Sequence, residues 1–171
     1  MECVSRANSA LLFKHANPYI MDKGLHRETD YPYFDHYIRP CMCSLNQGFL
    51  KIGISGWEYL EEDEVTDALN LEPVTASIDV YPSLLTHQGM DVWYPRPVEL
   101  PILVPGSDKI QRHALLLTGY GVDAFGIPYF IGKGAWTVDS WMNGYIRVRR
   151  DFVKFAVKIR GQVQMLKLMS T

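Results

Sequence analysis

His113 stands at the head of an apolar run, "HALLLTGYG", and a second apolar run, "IPYFIGKGAW", returns after a turn. An imidazole can take up and return a proton near neutral pH. In nucleophilic hydrolysis it accepts the nucleophile's proton, and a third group fixes its tautomer. Residues equidistant from the turn of an antiparallel pair face each other. A turn centred near Asp123 and Ala124 sets His113 opposite Gly134. Glycine has no side chain with which to orient an imidazole. The residues alone therefore put a histidine in a place suited to catalysis, with no orienting group across from it.

The surrounding elements must position this pair. "SALLFKHANPYIMDKG" spaces Leu11, Leu12, His15 and Tyr19 near helical periodicity, with Ser9 as a cap, Gly24 as a stop and Pro18 as an awkward interior residue. "DYPYFDHYIRPCMC" reads as an aromatic-rich loop. "FLKIGISGWEYL" alternates apolar residues as one strand does. "EEDEVTDALNLE" predicts a short helix with Glu61, Glu62, Asp63 and Glu64 in its first turn, where the helix dipole favours acids. "PVTASIDV" is a strand, and four prolines between Trp93 and Gly106 make a long rigid loop. The returning hairpin, "GYIRVRR" and the segment around Val157 and Ile159 add further strands. This order predicts an α+β fold with an antiparallel, barrel-like sheet.

The composition bounds the function classes. At 171 residues, 47% hydrophobic and 21% charged, the chain is an ordinary globular sequence with one domain or slightly more. A net charge of −2 gives no global steering towards nucleic acid or membrane. From Arg147 onwards the chain is basic, with Asp151 as its acid; these cations read as solvated or edge-protecting residues, or alternatively as a docking surface for an acidic partner. The first twenty residues lack the apolar core of a signal peptide, and no run is long enough to span a membrane. Cys3, Cys41 and Cys43 are too few for a disulfide framework, and "CMC" lacks a second ligand pair for zinc. Reduced thiols in an intracellular compartment are expected, with no metal and no cofactor.

Beyond these readings, "HALLLTGYG…GIPYFIGKGAW…MNGYIRVRRD" resembles the C-terminal half of papain-like cysteine proteases. The resemblance extends upstream through "GLHRETDYPY" and "KIGISGWEYL…PVTASIDV", in order and with compatible spacing, over about residues 8 to 150. It implies a right-lobe β domain over 46–171 with a divergent basic tail, and a remnant of the left lobe, helix and loop, over 1–45.

The resemblance also implies roles. His113 matches the catalytic histidine, Gly134 stands at the catalytic asparagine's position, and Trp136 matches the tryptophan that shields the asparagine–histidine bond. Ser77 and Ala114 fall where the family lines its main specificity pocket. Arg112 replaces the usual Asp or Asn before the histidine, and its cation is expected to oppose imidazolium formation through like charge. The family's nucleophile motif, with its cysteine and upstream oxyanion glutamine, has no match. The expectation is a catalytically inactive homologue serving as a binding or structural subunit, with a protein partner over the face that the left lobe would cover, and with no nucleic-acid role. The alternative is a right-lobe fragment of a cysteine endopeptidase that needs a separate cysteine-bearing chain. A decoy or inhibitor has nothing behind it beyond the family resemblance.

Overall fold

The computed structural model describes residues 13–29, 51–134, 141–160 and 164–166. The chain divides into two compact units, one formed by residues 1–57 with 159–171 and the other by residues 58–158.

In the first unit, α1 (Phe13–Lys23) runs through Pro18, whose missing N–H leaves one helical hydrogen bond unmade. Gly24 ends it as expected: its φ is 66°, and its N–H donates to the Ile20 carbonyl at 2.9 Å. The proposed Ser9 cap lies outside the described residues, as do the "DYPYFDHYIRPCMC" loop and all three cysteines. A three-stranded antiparallel sheet contains β1 (Leu25–His26) and β2 (Lys51–Gly53); its third strand comes from the chain's far end and is numbered below.

"FLKIGISGWEYL" is not one strand. It breaks after β2 and resumes as β3 (Gly56–Leu60), and the two pieces belong to different sheets. Ser55 sits in the break, where its hydroxyl donates to the Arg160 carbonyl at 2.7 Å. A serine that bonds the main chain competes with regular ladder pairing.

In the second unit, α2 (Glu64–Leu69) buries Val65 and Ala68. Glu61, Glu62 and Asp63 precede it rather than filling its first turn. Glu64 reaches back to accept the Glu61 N–H at 2.8 Å, which ties the preceding turn to the helix start. Then come β4 (Val74–Asp79), α3 (Pro82–Thr86), which the sequence reading missed, and β5 (Val92–Trp93). The long strand β6 (Arg112–Val122) follows, then β7 (Pro128–Lys133), β8 (Tyr145–Arg149) and β9 (Val153–Arg160); β10 (Gln164–Leu166) completes the small sheet.

The large sheet has the order β3-β9-β4-β6-β7-β8-β5 and is open rather than closed. The pairings of β4, β6, β7 and β8 are antiparallel, and β5 joins β8 in parallel. Ile78, Leu115, Leu117, Phe130, Ile146 and Val148 pack a core with Leu84, Trp93 and Trp141. β4 is buried along most of its length because it lies between β6 and β9, which the sequence order does not suggest.

Candidate functional site

β6 exposes alternate residues and buries Leu115 and Leu117. Successive strand side chains point to opposite faces. His113 therefore shares the inward face of Leu115 and Leu117, and its cross-strand partner on β4 is the fully buried Ile78. Arg112 and Ala114 lie on the other face.

The hairpin register differs from the expected one. Asp123 opens the β6–β7 loop rather than topping it: its carboxylate accepts the N–H groups of Phe125 and Ile127 at 2.9 and 2.8 Å. Gly126 closes the turn with φ 82°. The ladder thus pairs Val122 with Pro128, slips by one at an irregularity between Leu117 and Gly119, and stops at Leu116–Lys133. His113 is not the cross-strand partner of Gly134.

The two residues nevertheless meet. A Cβ on Gly134 would lie 3.2 Å from His113 Nε2. The same Cβ would collide with Cζ3 of the Trp141 indole and sit 3.0 Å from its Cη2. Trp141 packs edge-on against the imidazole, with ring centres 5.7 Å apart and planes at 75°. It is buried, and its indole N–H donates to the Leu84 carbonyl at 3.3 Å. The Gly134 N–H donates to the Gly144 carbonyl at 2.9 Å, which draws the end of β7 towards the turn before β8.

That turn is set by "MNGY". Asn143 and Gly144 have φ of 53° and 83°, and Met142 and Tyr145 exchange both backbone hydrogen bonds at 3.0 Å. Two central residues at positive φ suit the twist of a hairpin, and Asn-Gly tolerates them best. Trp141 itself has φ 58°, a costly conformation for a bulky residue. Its ring is thereby fixed against His113 by strained backbone, an indole hydrogen bond and core packing together. No periodicity marks Trp141 as a site residue; the adjacent Asn-Gly pair is the one local signal in its neighbourhood.

Burial depresses His113, taking its pKa from 6.5 to about 4. The expected cause, like charge from Arg112, is not the operative one. Arg112 turns to the opposite face, where its Nε lies 3.1 Å from the buried Asp79 carboxylate and its guanidinium stacks 4.7 Å from the Phe155 ring centre. Asp79, absent from the sequence reading, sits directly across from Arg112 on β4.

Ser77 and Ala114 are direct cross-strand partners, so the structure brings them together, on the face of the sheet away from His113. Ser77 is 8% exposed, and its hydroxyl has no hydrogen-bond partner among the described residues. Trp136 lies outside the described residues. Among the described residues no group of His, Cys, Asp and Glu side chains could hold a metal ion. Nor is any helix among them long and apolar enough to cross a membrane.

Residues 3–165 match the family described as papain family cysteine protease. The chain belongs to the papain family. It is 27% identical over 131 residues to the viral cathepsin of Lymantria dispar multicapsid nuclear polyhedrosis virus, covering 75% of this chain and 33% of that protein. It is 26% identical over 147 residues to cysteine proteinase 3 of Dictyostelium discoideum, covering 84% and 40%. The chain thus spans two-fifths or less of the length of these curated relatives. Its fold is similar to that of the bromelain protease from Ananas comosus, with a TM-score of 0.61 at 21% identity over 85% of this chain and 67% of the other. The digestive procathepsin L 3 of Tenebrio molitor larval midgut gives 0.62 at 24% identity, over 85% and 47%. The α+β architecture of this papain-family chain, with its large, mostly antiparallel sheet, agrees with the C-terminal lobe of that fold.

Proposed function

We propose that this papain-family chain is a non-catalytic member, acting as a binding or structural subunit of a protein assembly. The observation that carries the reading is the place beside His113. Gly134 stands there, and the space a side chain would need is taken by the Trp141 ring. An asparagine at 134 would orient the imidazole in an active relative; here it would have to displace a buried tryptophan. The low pKa of His113 supports the same reading. Burial keeps the imidazole mostly neutral at pH 7 in this chain by itself, not in the imidazolium form of a thiolate–imidazolium pair.

On this reading His113 is inherited scaffold, Gly134 is the vacated orienter position, and Ser77 and Ala114 are remnants of a specificity pocket. Residues 1–45 correspond to the end of the family's left lobe, and the sparse cysteines suit a reducing intracellular compartment. A protein partner binds the chain within that assembly. The place of His113, kept on the inward face of β6, favours one alternative: a right-lobe fragment of a cysteine-type endopeptidase that works with a separate cysteine-bearing chain. Thiol-directed epoxide labelling, applied to the protein with its native partners, separates the two. The non-catalytic reading expects no His113-dependent labelling; a partner cysteine labelled only when His113 is intact supports the alternative.

A further inference from the structure

The outward face of β7 and β8 carries an ordered set of cations with no established role. The register makes Tyr129 face Arg149, Ile131 face Arg147 and Lys133 face Tyr145, so all six side chains share one face of the sheet. Ile146 and Val148, between them in sequence, point into the core. The Arg147 guanidinium lies 5.2 Å from the Tyr129 ring centre, the Lys133 ammonium 5.9 Å from that of Tyr145, and the Arg149 guanidinium 4.6 Å from that of Tyr94. Arg149 is paired with Asp151 at 2.7 Å. Among the described residues, Lys133 and Arg147 have no carboxylate within ion-pair distance. On β6 the cross-strand partners of Ile131 and Tyr129 are Gly119 and Gly121, which leave that part of the face open, while the exposed Leu116 faces Lys133.

The geometry points to this face as a docking site for an acidic, extended peptide segment of a partner protein. Charge complementarity selects the sign: two cations without a carboxylate partner among the described residues, and a third at the rim paired with Asp151, lie on one surface of a chain whose net charge is −2. Repeat length selects the conformation. Side chains on one face of a strand recur about every 7 Å, and so do alternate side chains of an extended peptide. Stacking on tyrosine holds Lys133 and Arg147 in place before binding, which lowers the entropy cost of engaging carboxylates. The same stacking argues against single-stranded nucleic acid. Bases need free aromatic faces, and Tyr94, Tyr129 and Tyr145 each already carry a cation. The site lies on the sheet face opposite to that of His113, and the proposal holds whether or not the chain is catalytic.

The test is fluorescence polarisation with the whole chain and three labelled probes: a short capped peptide alternating glutamate and threonine, the same peptide with lysine for glutamate, and a single-stranded RNA of similar length. The glutamate peptide should bind, weaken as salt is raised, and be weakened about tenfold or more by Arg147→Gln with Lys133→Gln. The lysine peptide should not bind the unmodified protein, a comparison that needs no variant to fold. The proposal is overturned if the glutamate peptide fails to bind, if the folded double variant binds it equally well, or if the RNA binds more tightly than the peptide.

Discussion

Replacing Gly134 with alanine should destabilise the protein, although alanine is ordinarily the more favourable residue. In an unstrained site the change gains about 0.4–1 kcal/mol by restricting the unfolded chain. Here the added methyl meets Trp141 Cζ3 below van der Waals contact, Cη2 at 3.0 Å and His113 Nε2 at 3.2 Å. The indole cannot swing aside cheaply, because its N–H is bonded to Leu84 and its ring is buried. Overpacking of this kind costs about 1–3 kcal/mol. For a chain of this size that is a fall in melting temperature of roughly 2–4 °C per kcal/mol. A double-mutant cycle isolates the contact. Trp141→Leu alone leaves a cavity and costs stability, but in its background Gly134→Ala should be neutral or stabilising. Urea melts followed by circular dichroism on the four proteins give the coupling, expected at about 1 kcal/mol or more. Equal effects of Gly134→Ala in both backgrounds would refute the claim that Trp141 occupies the space at 134.

Two further predictions concern charge. His113 should titrate by NMR with a midpoint near 4. Between pH 6.5 and 4 the unfolded chain binds a proton that the folded chain refuses, so stability is intact above 6.5 and falls as pH drops through that window. The shift sets a ceiling of about 3 kcal/mol, and partial exposure of the ring reduces it to roughly 1–2 kcal/mol. His113→Gln should remove that part of the pH dependence. Arg112→Met should destabilise the chain by about 1–3 kcal/mol, because it strands the buried Asp79 carboxylate, and Asp79→Asn should recover much of the loss. It should leave the His113 midpoint in place, since burial sets that midpoint; a rise towards 6.5 would restore like charge as the cause.

Much of this architecture was legible because it is local. β4, β6, β7 and β8 follow from "PVTASIDV", from the two apolar runs of the hairpin and from "GYIRVRR", each read as a strand. The stop of α1 follows from a glycine at positive φ. What was not legible depended on long-range partners. Nothing in "GWEYL" says that it belongs to a different sheet from "KIG", and nothing in the basic tail says that β9 inserts between β3 and β4. The His113–Gly134 proximity was anticipated through the wrong register. The Asp123 loop and the slip near Thr118 shift the ladder, and the two residues meet through the Gly134–Gly144 hydrogen bond and the Trp141 packing instead. Trp141 and Asp79 escaped the sequence reading for the same reason: one is defined by a turn geometry, the other by a cross-strand neighbour.

The central claim, that His113 no longer serves peptide hydrolysis, is tested most directly by turnover. The purified chain and its His113→Ala variant are assayed side by side with a fluorogenic peptide substrate under reducing conditions, alone and with native partners. The account predicts that neither protein hydrolyses the substrate above the blank and that the two are indistinguishable. Hydrolysis that is present in the unmodified chain and lost in His113→Ala would contradict it.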